Sequence, residues 1–188
     1  MRVAATRQNL FLVEGQTEEK LVKALYLGQV KVVDLWSLNN SKIDSINRSI
    51  SKGTQVFVIC DVDAINPTRC QNFLKNFQDI GKYVGRQNIA IIQQTNNFEH
   101  ELLYCMSLRR KDLYEKFNNA SGDAQLKKNF IAERKMLEKL MSNNFDINKL
   151  WSKSICSNLE ELTDCKLTAR DIRCLLRPDV IKQYPQLK

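Results

Sequence analysis

Four short apolar runs, NLFLV, VKVVDLW, QVFVIC and NIAII, recur between residues 9 and 92, and helical patterns separate them. This alternation is the strongest constraint on the fold. Strands are expected over residues 9–13, 30–36, 55–60 and 88–92. The first helix, 17–27, carries Leu21, Ala24 and Leu25 on one face, and the second, 41–51, carries Ile43, Ile46 and Ile50. A third, 66–83, turns Phe73, Leu74 and Phe77 inward. A fourth starts near Asn97 with Phe98, Leu102 and Cys105 on one stripe. Strands joined through helices predict an α/β fold with a parallel four-stranded sheet flanked by helices and right-handed crossovers. The run Gln55 to Cys60 is almost wholly apolar, as suits a strand covered on both faces.

From about Lys111 no further strand is predicted. Residues 124–142 read as one basic amphipathic helix with Leu126, Phe130, Leu137, Leu140 and Met141 inward, preceded by a loop over 118–123. Shorter helices are expected over 146–151, 157–163 and 168–176, the last opening on a loose capping box, Thr168 to Asp171. Pro178 and Pro185 are expected to end regular structure. The division is therefore an α/β domain, 1–110, and a basic all-helical C-terminal extension, 111–188. Charge follows it: residues 1–106 hold 12 Lys and Arg against 10 acids, residues 107–188 hold 17 against 11. A net charge of +8 favours polyanionic partners.

No run approaches the ~18 apolar residues of a membrane span, and Arg7, Gln8 and Asn9 interrupt any apolar signal region at the N-terminus. The expectation is a cytoplasmic protein with no membrane partner. Six cysteines without a C-x-x-C pair, with the single histidine His100, argue for free thiols rather than zinc ligation; Cys60 reads as a small core residue.

Two strands end in acid. Glu14-Gly15 follows the first, and Asp61-Val62-Asp63 follows the third. Ligands of an open parallel sheet sit beyond the carboxyl ends of its strands. If the first and third strands are neighbours, three carboxylates converge, and like charges that close raise each other's pKa. A hard divalent cation, Mg²⁺ or Mn²⁺, resolves the conflict through oxygen ligands. Gly15 permits close approach and a turn that a β-carbon would hinder.

The ordered set of apolar strand, Glu14-Gly15 and helix, then apolar strand and Asp61-x-Asp63, resembles a Toprim domain, the Rossmann-like fold shared by topoisomerases, bacterial primases and OLD-family nucleases. EGQTEEKLVKAL is similar to the E-G-x-T-E opening of the OLD and RloB-like branch. The resemblance covers residues 9 to about 104. It implies that Glu14 is a general acid/base or metal ligand, that Asp61 and Asp63 bind the metal, and that Glu18 helps hold a second cation. TNNFEHELL, residues 95–103, resembles the Phe-Glu element that follows the fourth strand in RloB-like proteins, making Glu99 a further acid. From the residues alone, Glu18 also reads as an acid favoured in a first helical turn, and Glu99 as a capping-box partner of Asn96. Glu101 is a weaker candidate, and His100 reads as a surface or supporting residue. After Asp63 the chain departs from the family's usual glycine with Ala64-Ile65-Asn66-Pro67.

The leading expectation is a metal-dependent nuclease acting on DNA or RNA, and the resemblance extends to effectors of anti-phage defence. Arg109, Arg110 and Lys111, just past the acid-bearing helix, are candidates to touch nucleic acid near the site. Lys127, Lys128, Arg134, Lys135 and Lys139 would hold its backbone, giving affinity without sequence specificity; the competing reading is a solvated helix face. No G-x-x-x-x-G-K-[ST] is present, so an NTPase would be another chain. The OLD branch implies such a partner ATPase, and a homo-oligomer is equally compatible. Two other readings stand beside this one. A non-catalytic Toprim module would bind nucleic acid or a partner. VFVICDVDA also resembles the strand–Asp-x-Asp start of haloacid-dehalogenase-type phosphatases, but Ile65 replaces their usual Thr or Val and no later Asp pair is evident.

Overall fold

The computed structural model describes residues 8–63, 65–167 and 169–187. The N-terminal residues 1–7, Ala64 in the loop after the acid pair and Thr168 of the expected capping box lie outside the described residues.

Four parallel strands form one sheet: β1 (Asn9–Val13), β2 (Gln29–Val32), β3 (Gln55–Cys60) and β4 (Ile89–Gln93), in the order β2-β1-β3-β4. Thus β1 and β3 are central neighbours, in register from Asn9↔Gln55 to Val13↔Ile59. The connecting helices are α1 (Gln16–Leu25), α2 (Asn40–Arg48) and α3 (Pro67–Val84), and α4 (Phe98–Met106) follows β4. Asn39, Asn66 and Asn97 cap α2, α3 and α4 by accepting the backbone N–H three residues on. Pro67 sits at the start of α3, where its missing N–H costs nothing. β2 is shorter than the expected 30–36, and its residues are only partly buried or exposed, as suits an edge strand.

Alternation along the strands divides the core. Phe11, Val13, Phe57, Ile59 and Ile92 face one side with α1 and α4; Leu10, Leu12, Val56, Val58 and Ile91 face the other with α2 and α3. Most of the chain beyond residue 110 packs on the first side, while Leu159 and Leu162 join the second. Phe117, Phe130, Leu140, Trp151 and Ile172 join Phe11, Leu21 and Phe98 in a single cluster, and Phe98 meets Phe130 edge-on with centroids 4.9 Å apart.

This later segment differs from the sequence expectation in five places. The helix expected over 124–142 is two, α6 (Asp123–Ala132) and α7 (Met136–Met141), after a short α5 (Arg110–Lys116). The break is fixed by side chains. Lys20 Nζ, on α1, donates to the carbonyls of Ile131 and Glu133 at 2.5 Å each, closing α6, and Glu133 accepts Lys135 N–H at 3.1 Å as α7 begins. Residues 146–151 form turns, not a helix, with Trp151 at φ 57°. The segment Ser157–Cys165 is a 3₁₀ helix covering the outer edge of β4, where Ile91 bridges Lys166, and α8 spans only Ala169–Arg173. Finally, Pro178 begins α9 (Pro178–Gln183) with Arg177 at its N-cap, and Pro185 opens a 3₁₀ turn. Proline ends helices only when it falls inside them; in the first turn it is pre-organised for the helix. The six cysteines are unpaired, and Cys60 is buried in the core. No helix among the described residues is long and apolar enough to cross a membrane.

Candidate metal and phosphate site

Adjacent parallel strands end at the same edge, so Glu14 after β1 meets Asp61 after β3. The Asp61 backbone N–H donates to Glu14 Oε2 at 3.1 Å. Glu18, one turn into the helix, is folded back into this edge and is only 3 % exposed. It is therefore not an acid left in water at a helix start. Thr17 Oγ1 donates to Glu18 Oε2 at 2.9 Å, and Gln94 Nε2 donates to Glu18 Oε1 at 3.0 Å. The same Gln94 nitrogen donates to Asp61 Oδ1 at 2.7 Å. Gln94, immediately after β4 and fully buried, was not singled out by the sequence, because an amide at a strand end carries no charge signal. These side chains open on a cleft of about 330 Å³ lined by Glu14, Gly15, Thr17, Glu18, Asp61 and Lys127.

Gly15 has φ −139°, an extended conformation open to any residue. Its role is one of space: a Cβ there would lie 2.7 Å from Glu18 Oε2.

The electrostatics are those of crowded anions. Burial, with the charges of Glu18, Glu14 and Asp63, pushes the Asp61 carboxyl up to about 8, against a lesser opposing pull from Lys127. Burial also raises Glu14, with Asp34 and Glu18 adding to it, while the bonds from the Asp61 N–H and the Trp36 side chain oppose it. Asp34 carries no site signal in the sequence, where it falls inside the expected second strand, 30–36. It lies just past the end of β2, held by Trp36 N–H at 2.9 Å and Ser37 Oγ at 2.7 Å.

The remaining expected acids separate. Asp63 leaves the cleft and accepts Asn97 Nδ2 at 2.9 Å. Glu99 is not a capping-box residue, since Asn97 rather than Asn96 caps α4 through the His100 N–H. It is 2 % exposed, and neither of its oxygens receives a directed hydrogen bond. Its compensation is the ammonium of Lys127 on α6, 3.2 Å from Oε1. Burial works against that charged ammonium, but Glu99, Glu18 and Asp61 outweigh it and hold its pKa above the ordinary value. Glu101 is a strut: it accepts the Thr95 N–H and hydroxyl at 2.6 and 2.7 Å and the Trp151 N–H at 2.5 Å. His100 lies between Asn97 Oδ1, 2.8 Å from Nδ1, and Arg110, 3.1 Å from Nε2.

The basic residues divide likewise. Arg109 is spent on Asp112 through two bonds of 2.9 and 3.1 Å, and Arg110 also reaches Asp123 at 3.1 Å. Lys111 is exposed, 3.9 Å from Glu115. Lys127 enters the cleft, whereas Lys128 on the same helix is exposed. Arg134 and Lys135 stand exposed at the α6–α7 break, Lys135 3.4 Å from Glu138. Lys139 pairs with Glu133 and lies over the Phe117 ring.

As these side chains stand, no three of the described His, Cys, Asp and Glu residues surround a common point that could hold a metal ion. The donor chemistry nevertheless fits a hard cation. Glu14, Glu18 and Asp61 present only oxygens, one amide nitrogen separates Glu18 from Asp61, and the buried Gln94 Oε1 has no partner. Comparison of the chain with protein-family models, curated proteins and solved structures finds no match to any of them.

Proposed function

We propose that this protein is a Toprim-type nuclease, dependent on Mg²⁺ or Mn²⁺, that cleaves phosphodiester bonds of DNA or RNA. The observation that carries the reading is the crowding of Glu14, Glu18 and Asp61 at the carboxyl edge of β1 and β3, with Asp61 pushed up to about 8 by burial and then by its neighbours' charges. Glu14, Glu18 and Asp61 would hold the cation, which when bound polarises a phosphoryl oxygen and activates water. Glu14, buried beside the cleft, is placed to take up or return a proton at its carboxylate. Gln94 orients two of the three carboxylates. Lys127 supplies a positive charge at the cleft wall, where a phosphate would meet it. The net charge of +8 suits a polyanionic substrate. A partner ATPase and a defence role rest on the E-G-x-T-E resemblance.

A second reading, a non-catalytic Toprim module that binds nucleic acid or a partner, is favoured by the Gln94 bridge, which satisfies Glu18 and Asp61 without an ion. One experiment separates the two. Single- and double-stranded DNA, total RNA and transfer RNA are incubated with the protein at low salt in Mg²⁺, Mn²⁺ or EDTA, beside Glu14→Gln and Asp61→Asn. Cleavage that needs the cation and is lost in both variants is expected. Cation binding by a folded protein with no cleavage of any substrate would overturn the nuclease in favour of the module.

A further inference from the structure

Three cavities lie end to end along one side of the molecule. The acidic cleft shares Gln16 and Ile131 with a second cavity of about 520 Å³, and that cavity shares Lys20 and Ala24 with a third of about 370 Å³. The first two flank the seam where α1 packs on α6, which Lys20 locks by bonding the end of α6, and the third lies beyond Lys20 against α7 and α9. The three cavities thus adjoin in a row from the carboxylates to the space between α7 and α9.

The far end is chemically unlike the near end. Its wall holds Met136, Leu137, Val180 and the half-buried Tyr184, and its rim holds Arg134, Lys135 and Arg177 with the acids Glu138 and Asp179, which pair with Lys135 and Arg177. Arg177 is braced, with bonds to Asp179 at 2.7 and 3.1 Å and to the Lys23 carbonyl at 3.0 Å. Arg134 is exposed and pairs with no acid among the described residues. An apolar wall with an aromatic ring beneath a rim of guanidinium groups is how proteins hold an unpaired nucleobase and its phosphate. The cavity is of the size that takes a small ligand.

We infer that this third cavity is a nucleotide-binding pocket for single-stranded nucleic acid, with a base against Tyr184 and its phosphate on Arg134 and Arg177, and that the strand runs along the α1–α6 seam to the acidic cleft. The direction of the strand rests on the nuclease reading; the pocket does not. Duplex is excluded from the pocket itself, because paired bases cannot turn a face toward Tyr184.

The test is binding without cleavage. Fluorescence anisotropy in EDTA measures the affinity of the full chain for a short labelled oligothymidylate and its oligouridylate counterpart, which separates DNA from RNA. Arg134→Glu is expected to weaken binding by about tenfold or more and to lower its salt dependence. Tyr184→Ala is expected to weaken it by roughly five- to tenfold at unchanged salt dependence. Lys75→Glu, on α3 across the sheet, is expected to bind as the parent does. Because Tyr184 also packs on the core, photocrosslinking of iodouracil-containing oligonucleotide to the unmodified protein provides an independent readout, with the adduct expected on Tyr184 or a neighbouring wall residue. Unchanged affinity in Arg134→Glu, or an adduct on another face, overturns the pocket. Loss of binding in these variants of a protein that cleaves nothing would uphold the pocket and reject the nuclease; cleavage with unaltered binding in both variants would do the reverse.

Discussion

The carboxylate of Glu18 stands against the bare α-carbon of Gly15, so close that a Cβ on residue 15 would lie 2.7 Å from Glu18 Oε2. The pair explains why an acid that begins a helix can be turned inward. Glu18 is also clamped by Thr17 and Gln94, so it cannot swing aside freely. The extended φ of Gly15 costs alanine nothing in the backbone. Gly15→Ala must nevertheless displace the clamped carboxylate, and is expected to fold with a loss of about 1–3 kcal/mol. Cation affinity should also drop roughly 10- to 100-fold, as when a group that positions a metal ligand is lost. Thermal unfolding with and without Mn²⁺ measures both. An alanine variant that gains as much from Mn²⁺ as the parent would break the link between Gly15 and the site.

Asp61 makes stability depend on pH in a definite direction. Its folded-state pKa of about 8 lies above its ordinary 3.8, so the folded protein binds the proton more tightly than the unfolded chain does. The stabilisation is complete below the ordinary value and is lost as pH rises through about 8. Glu14 is raised too and acts in the same sense. In EDTA, the melting temperature is expected to fall across this window, and Asp61→Asn should flatten much of the fall. A divalent cation favours the ionised carboxylates, so its stabilising effect should grow with pH. A parent melting curve in EDTA that is flat from pH 5 to pH 8 would contradict the crowding; the window is that of the raised group.

The Glu99–Lys127 pair is lopsided. Glu99 is 2 % exposed and lacks directed hydrogen bonds, whereas the Lys127 side chain is 44 % exposed. Removing the lysine strands a buried charge, and removing the carboxylate frees a cation that water can reach. Lys127→Ala is expected to cost about 2–3 kcal/mol, less than a fully enclosed pair, and Glu99→Gln about 1 kcal/mol or less. The double variant should recover most of the lysine's loss. Denaturant titration of the three variants checks the order; equal costs for the two single changes would mean that Glu99 is hydrated.

Much of the frame was legible along the chain. The limits of β1 and β3 coincide with the apolar runs, and the expectation that Glu14 and Asp61 share one edge is met because β1 and β3 pair directly. The candidate site was less legible. Glu14, Glu18 and Asp61 come together, whereas Asp63 turns to Asn97 and Glu99 to Lys127. Glu101, a weak candidate in the sequence, proves to tie α4 to the backbone of Trp151, fifty residues on. No spacing rule could have announced that bond.

By itself the sequence determined where strands and helices form and which of them end in acid, because side-chain periodicity and turn chemistry act within a few residues. Only the tertiary structure decided how each buried polar group is satisfied. Gln94 joins Glu18 to Asp61, Lys127 reaches Glu99 from a helix near thirty residues later, and Lys20 ends α6 by capping it from α1. The physical reason is that a buried charge or an orphaned carbonyl must find a partner, and packing, not proximity along the chain, selects which side chain is within reach.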